Sequence, residues 1–75
     1  MNEDITQAIM SQMPDAEVEV AVEGNRARIT VVSQAFEGMS RVKKQQAVYA
    51  CINGLIAAGT LHAVTIRALT PDEAR

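Results

Sequence analysis

Seventy-five residues, 48% of them hydrophobic but only 3% aromatic, describe one small soluble globular domain whose core is built from Val, Ile, Leu, Ala and Met. The net charge of -2 speaks against a dedicated nucleic-acid binder, whose footprint is basic overall, while leaving room for a local basic patch. A single cysteine excludes an intrachain disulfide, and no apolar run approaches the roughly 20 residues that span a bilayer.

The chain begins Met1-Asn2-Glu3-Asp4. This lacks the basic-then-apolar pattern of a secretory signal, so the expected location is the cytoplasm. Residues 3–13 are predicted to form a short helix capped by Asn2 or Asp4, whose side-chain oxygens accept from free backbone N–H groups. Ile5, Ala8, Ile9 and Met13 share one face at helical spacing. Pro14 and Asp15 end the helix.

Residues 16–33 read as a β-hairpin. Val18, Val20 and Val22 alternate with Glu17, Glu19, Ala21 and Glu23, and Gly24-Asn25 is a two-residue turn signal. Pairing Glu23 with Arg26 sets Val22 opposite Ala27, Val20 opposite Ile29 and Val18 opposite Val31. That makes one apolar face. The same register sets Glu23 against Arg26 on the other face and brings Arg28 near Glu19 and Glu23. Both faces therefore agree on one register.

Residues 34–39 form a connection with Gly38 as its flexible point. Ser40 is an N-cap for a helix over residues 41–58, along which Gln45, Val48, Ile52, Leu55 and Ile56 recur at helical spacing with Tyr49 flanking. Gly54 inside it costs roughly 1 kcal/mol relative to alanine. Gly59 is a stop signal. Residues 62–69 read as a third strand. Thr70-Pro71-Asp72-Glu73 carries the signature of a capped helix start, but too little chain follows for a helix, which is expected frayed or absent. The order α-β-β-α-β brings the last strand back through a crossover helix, so it is expected parallel to a hairpin strand. The fold class is α+β: a single αββαβ domain over residues 1–75, with a three-stranded mixed sheet and helices on one face.

Three groups are candidates for chemistry. His62, the sole histidine, stands at the mouth of the third strand, where a neutral imidazole can offer a lone pair to a metal. Alone it makes no complete site, and the plainer alternative is a surface histidine bonded to backbone. Arg41, Lys43 and Lys44 lie in the first turns of the second helix, where free N–H groups and the macrodipole favour anions. Ser40, Gln45 and Gln46 can add hydrogen bonds, and the competing interpretation is a solvated helix face. Cys51 falls mid-helix and reads as a small hydrophobe. No nucleophile–base pair, phosphate loop or complete metal motif is present, so an enzyme is not expected.

Two segments also match a known pattern. The first is Phe36-Glu37-Gly38-Met39-Ser40-Arg41-Val42-Lys43-Lys44-Gln45-Gln46-Ala47-Val48-Tyr49. The second is His62-Ala63-Val64-Thr65-Ile66 with Thr70-Pro71. Together they resemble the BolA family, most closely its bacterial YrbA/IbaG-like branch. The resemblance runs from Phe36 to Glu73, about half the chain, and more loosely back to the N-terminus. It implies a type II KH-like fold and an accessory protein of iron–sulfur metabolism that binds a monothiol glutaredoxin. His62 would then ligate a shared [2Fe-2S] cluster whose thiolate ligands come from glutaredoxin and glutathione. Histidine in place of thiolate raises an iron–sulfur potential and makes ligation proton-sensitive.

This chain departs from that pattern at one place. Many relatives carry a second histidine or a cysteine near the position of Arg26, and a guanidinium cannot ligate iron. Arg26, at the Gly24-Asn25-Arg26 tip, would instead help to position an anionic partner. The family is also described as DNA-binding, which keeps open a stress-response transcription regulator using the basic helix start. Against base-specific contact, no aromatics are interleaved with the cations and no Gly-x-x-Gly clamp is present. A third alternative is an interaction module with neither cluster nor nucleic acid.

Overall fold

The computed structural model describes residues 2–59 and 63–75. Its elements are α1 (Asn2–Gln12), β1 (Glu17–Glu23), β2 (Arg26–Val32), a 3-10 turn (Gln34–Phe36), α2 (Arg41–Ala57) and β3 (Ala63–Leu69). The sheet order is β1-β2-β3. β1 pairs antiparallel with β2, and β2 pairs parallel with β3. The expected αββαβ domain and mixed sheet are what the chain forms.

The hairpin register is the one dictated by its two faces: Val22↔Ala27, Val20↔Ile29, Val18↔Val31 and Glu23↔Arg26. Gly24 takes φ +62, the left-handed conformation the tight turn requires. Asn25 does not share it, because no described residue other than glycine has positive φ. The β2–β3 register continues the pattern, with Ala27↔Val64, Ile29↔Ile66 and Val31↔Ala68 on the inner face. Both helices pack on this face. Ile5, Ile9, Ile29, Val31, Phe36, Val48 and Ile52 form its fully buried centre.

α1 runs from Asn2, which places Asp4 inside its first turn, so Asp4 does not cap it as expected. Glu3 and Asp4 occupy the first turn, where a carboxylate complements the positive end of the macrodipole. α2 starts as its sequence dictates. Ser40 is extended, and its Oγ accepts from the Lys43 N–H at 3.2 Å. The helix ends at Ala57, with Ala58 as cap and Gly59 at φ +78 donating its N–H to the Ile56 carbonyl at 3.0 Å.

The connection after β2 is built around a buried serine. Ser33 Oγ donates to Asp15 Oδ1 at 2.9 Å and accepts from the Ala35 N–H at 3.0 Å. Gln34 N–H adds a bond to Asp15 Oδ2 at 3.0 Å, and Ser33 N–H reaches the Leu69 carbonyl at 3.0 Å. This knot joins the α1–β1 turn, the end of β2 and the end of β3. It also directs Phe36 into the core, where its ring is fully buried. At the C-terminus, Thr70 N–H donates to Glu73 Oε1 at 2.9 Å and Glu73 N–H to Thr70 Oγ1 at 3.2 Å. These are the two bonds of a capping box, closed on a turn, with no helix following.

Candidate functional site: the start of α2 and the ends of β3

The sequence candidates fall in two regions. The first lies at the hairpin tip. Arg26 opens β2 and is paired across the sheet with Ala63, the first residue of β3. Ala63 N–H reaches the Asn25 carbonyl at 3.4 Å. A shallow depression here is lined by Val22, Glu23, Arg26, Arg28, Ala63 and Thr65. The histidine assigned as a metal ligand, His62, lies outside the described residues. Its neighbour Ala63 shows that β3 begins beside Arg26.

The second region is the start of α2. Ser40 is committed to capping. Arg41 and Lys43 are exposed, and among the described residues neither forms an ion pair within 4.0 Å. Val42 between them is 63% exposed, an apolar residue left outside the core. Lys44 is different. Its ammonium bonds Glu73 Oε1 at 2.6 Å, with only 12% of its side chain accessible. Gln45 is turned inward and donates from Nε2 to the Ile66 carbonyl at 2.6 Å. A cleft between α2 and β3 is lined by Arg41, Lys44, Gln45, Ile66, Arg67 and Glu73. Arg67 and Glu73 were not among the sequence candidates. The capping-box pattern was the available signal for Glu73, and the exposed alternation of β3 was the signal for Arg67.

Electrostatics single out two carboxylates and one thiol. The Lys44 ammonium and then the Thr70 N–H hold Glu73 down to about 2. The Gln34 N–H and then the Ser33 hydroxyl hold Asp15 below the ordinary carboxylate range. Burial pushes the Cys51 thiol up, and its Sγ donates to the Ala47 carbonyl at 3.3 Å while the side chain packs against the core. A protonated, core-facing thiol is a poor metal ligand. Among the described residues, no group of three or more His, Cys, Asp or Glu side chains is placed to hold a metal ion. No helix among them is long and apolar enough to cross a membrane.

A three-stranded mixed sheet covered on one face by two helices, with a capped basic helix start and a capping box after the last strand, defines a small α+β domain of αββαβ order. The family model described as BolA-like protein matches residues 9–73, and the chain belongs to that family. Acid stress protein IbaG of Escherichia coli K12 is 42% identical over 72 residues, 96% of this chain and 86% of that protein. BolA1 from Arabidopsis thaliana superimposes with a TM-score of 0.85 at 25% identity, covering 97% of this chain and 94% of the other. The BolA domain of SufE1 from the same plant gives 0.85 at 28% identity, covering 95% and 92%.

Proposed function

We propose that this chain is a cytoplasmic accessory protein of iron–sulfur metabolism that docks on a monothiol glutaredoxin and shares a [2Fe-2S] cluster with it. The cluster is cargo held between two proteins, with His62 as this chain's ligand and partner thiolates completing the set. The observation that carries this is the family match across residues 9–73, which includes the His62-Ala63-Val64-Thr65-Ile66 segment. Cys51 is unsuited to ligation and Arg26 is incapable of it, so further ligands have to come from outside the chain. Arg26 contributes charge at the same end of the sheet, where it offsets the negative charge of a thiolate-ligated cluster. Exposed Arg41 and Lys43, with Val42 between them, offer the docking surface. The IbaG relative's name adds a setting, acid stress, in which a proton-sensitive histidine ligand has a use.

The test is reconstitution with a monothiol glutaredoxin, glutathione, iron and sulfide, followed by visible circular dichroism. A spectrum distinct from that of glutaredoxin alone, and lost in His62→Ala, is expected. Identical spectra for the wild type and the variant would remove His62 as a ligand.

A second proposal, a DNA-binding stress regulator, is favoured by one observation: Arg41 and Lys43 are both exposed and without an ion pair among the described residues at the start of a helix. Lys44 is taken up by Glu73, which leaves two cations for phosphate. Binding through them would show a log–log salt slope of about -2. A slope near zero, or unchanged affinity in Arg41→Gln with Lys43→Gln, would dispose of it.

A further inference from the structure

The strand order leaves β3 at one edge of the sheet. Ala63 N–H bonds the Asn25 carbonyl and the Leu69 carbonyl accepts from Ser33 N–H. A parallel ladder uses the N–H and C=O of alternate residues on each side. Residues 63, 65, 67 and 69 therefore address β2, and the backbone groups of Val64, Ile66 and Ala68 point outward. Of these, only the Ile66 carbonyl has a described partner, Gln45 Nε2. The remaining groups form a row of donors and acceptors with no strand beside them among the described residues.

Ile66 and Ala68 of this row line the cleft that holds Arg41, Lys44 and Arg67. The chain itself shows what that cleft accepts: the Glu73 carboxylate reaches in from the C-terminal turn to Lys44 at 2.6 Å. Arg41 and Arg67 have no carboxylate within 4.0 Å among the described residues. Three cations against one carboxylate leave the cleft positive on a chain whose net charge is -2.

We propose that the β3 edge binds an acidic, extended segment of a partner protein as an added strand. Its backbone would bond to Val64, Ile66 and Ala68, and its carboxylates would meet Arg67 and Arg41. Main-chain bonds give such strand addition its affinity, and side chains at alternate positions give it selectivity. A second copy's β1, with Glu17, Glu19 and Glu23, has suitable charge. However, β1-to-β3 pairing is head-to-tail, which gives a ring or an open filament and not a two-fold dimer. We take the occupant to be a segment of a separate protein, matched to the edge by its charge, and a second copy is an outcome of the test. The proposal requires neither His62 nor iron, and stands or falls apart from the cluster function.

The test uses the 15N-labelled protein and an acetylated, amidated hexapeptide of alternating Glu and Val. The control is the same peptide with Lys for Glu. The acidic peptide is expected to shift the Val64, Ile66 and Ala68 amides selectively, and Arg67→Glu to weaken it by about tenfold or more. Methylating alternate peptide nitrogens is expected to abolish binding to the wild-type protein, an arm that does not depend on any variant folding. Equal binding of the lysine peptide, or shifts confined to other residues, would overturn the proposal. So would β3-edge shifts that grow with protein concentration in the absence of peptide, which would make a second copy the occupant.

Discussion

Asp15 and Ser33 stand eighteen residues apart in sequence, yet the serine hydroxyl donates to the aspartate carboxylate at 2.9 Å. The Gln34 N–H fills the other carboxylate oxygen at 3.0 Å. One side chain in the α1–β1 turn thereby holds the far end of the hairpin and the entry of Phe36 into the core. The carboxyl is held below its ordinary 3.8 by the Gln34 N–H first and the Ser33 hydroxyl second, against a smaller opposing effect of burial. A group depressed on folding stabilises the folded chain above its unfolded value, and that contribution is lost as pH falls through the folded value. The thermal midpoint of the wild type is expected to fall more steeply than that of Asp15→Asn as pH is lowered from neutral through 3.8. Parallel curves would show that the carboxylate is not the latch.

Glu73 obeys the same sign over a wider window, from 4.5 down to about 2. Its side chain is 46% exposed, so water and salt screen much of the Lys44 attraction and the gain in stability is small. The titration itself is the sharper readout. A 13C-detected titration of the Glu73 carboxyl is expected to show a midpoint near 2 in the wild type and a return toward 4.5 in Lys44→Met. An unperturbed midpoint in the wild type would mean that the pair does not persist in solution.

Phe36 is fully buried and is the largest such side chain in the domain. Phe36→Ala is expected to cost about 3–5 kcal/mol, transfer and cavity together. A small domain has little more than that to lose, so the variant should be largely unfolded at room temperature. Phe36→Leu keeps most of the volume and is expected to cost about 1.5 kcal/mol or less. Urea midpoints measure both, and a near-neutral alanine variant would contradict the burial.

The glycines of α2 and its cap should respond in opposite directions. Gly54 lies inside α2, and a Cβ built there meets no heavy atom within 4 Å. Gly54→Ala is expected to stabilise by about 1 kcal/mol, the helix-propensity difference. Gly59, at φ +78, also has open space, but alanine there is strained by its backbone. Gly59→Ala is expected to destabilise by about 1 kcal/mol. If both substitutions moved the urea midpoint in the same direction, this account of the helix end would fail.

Local and periodic features were legible in the sequence. The hairpin register follows because valines and charges alternate on two faces that agree on a single pairing. α2 is bounded by Ser40 and Gly59, each acting through its own backbone. Long-range features with no period were hidden. Asp15 has the look of a helix terminator, and its partners lie on the far side of the hairpin. Phe36 is a lone aromatic in a connection, with nothing around it to reveal that it enters the core. Lys44 sits in a cationic run that reads as one patch, but a carboxylate twenty-nine residues away removes it from that run. Arg67 belongs to the cleft only because the sheet ends at β3, and a strand's place in a sheet is not written in its own residues. Asp4 shows the reverse error: a good capping residue does not cap when the helix has already begun.

Tyr49 is 37% exposed on α2, the chain has no tryptophan, and Phe36 is its only other aromatic. Intrinsic fluorescence therefore has a single source, and that source sits on the outer part of a helix. Its emission will follow contacts made or broken at that surface more faithfully than collapse of the interior. A partner settling against α2 should be visible without any label, whereas chain unfolding should be followed by far-ultraviolet circular dichroism.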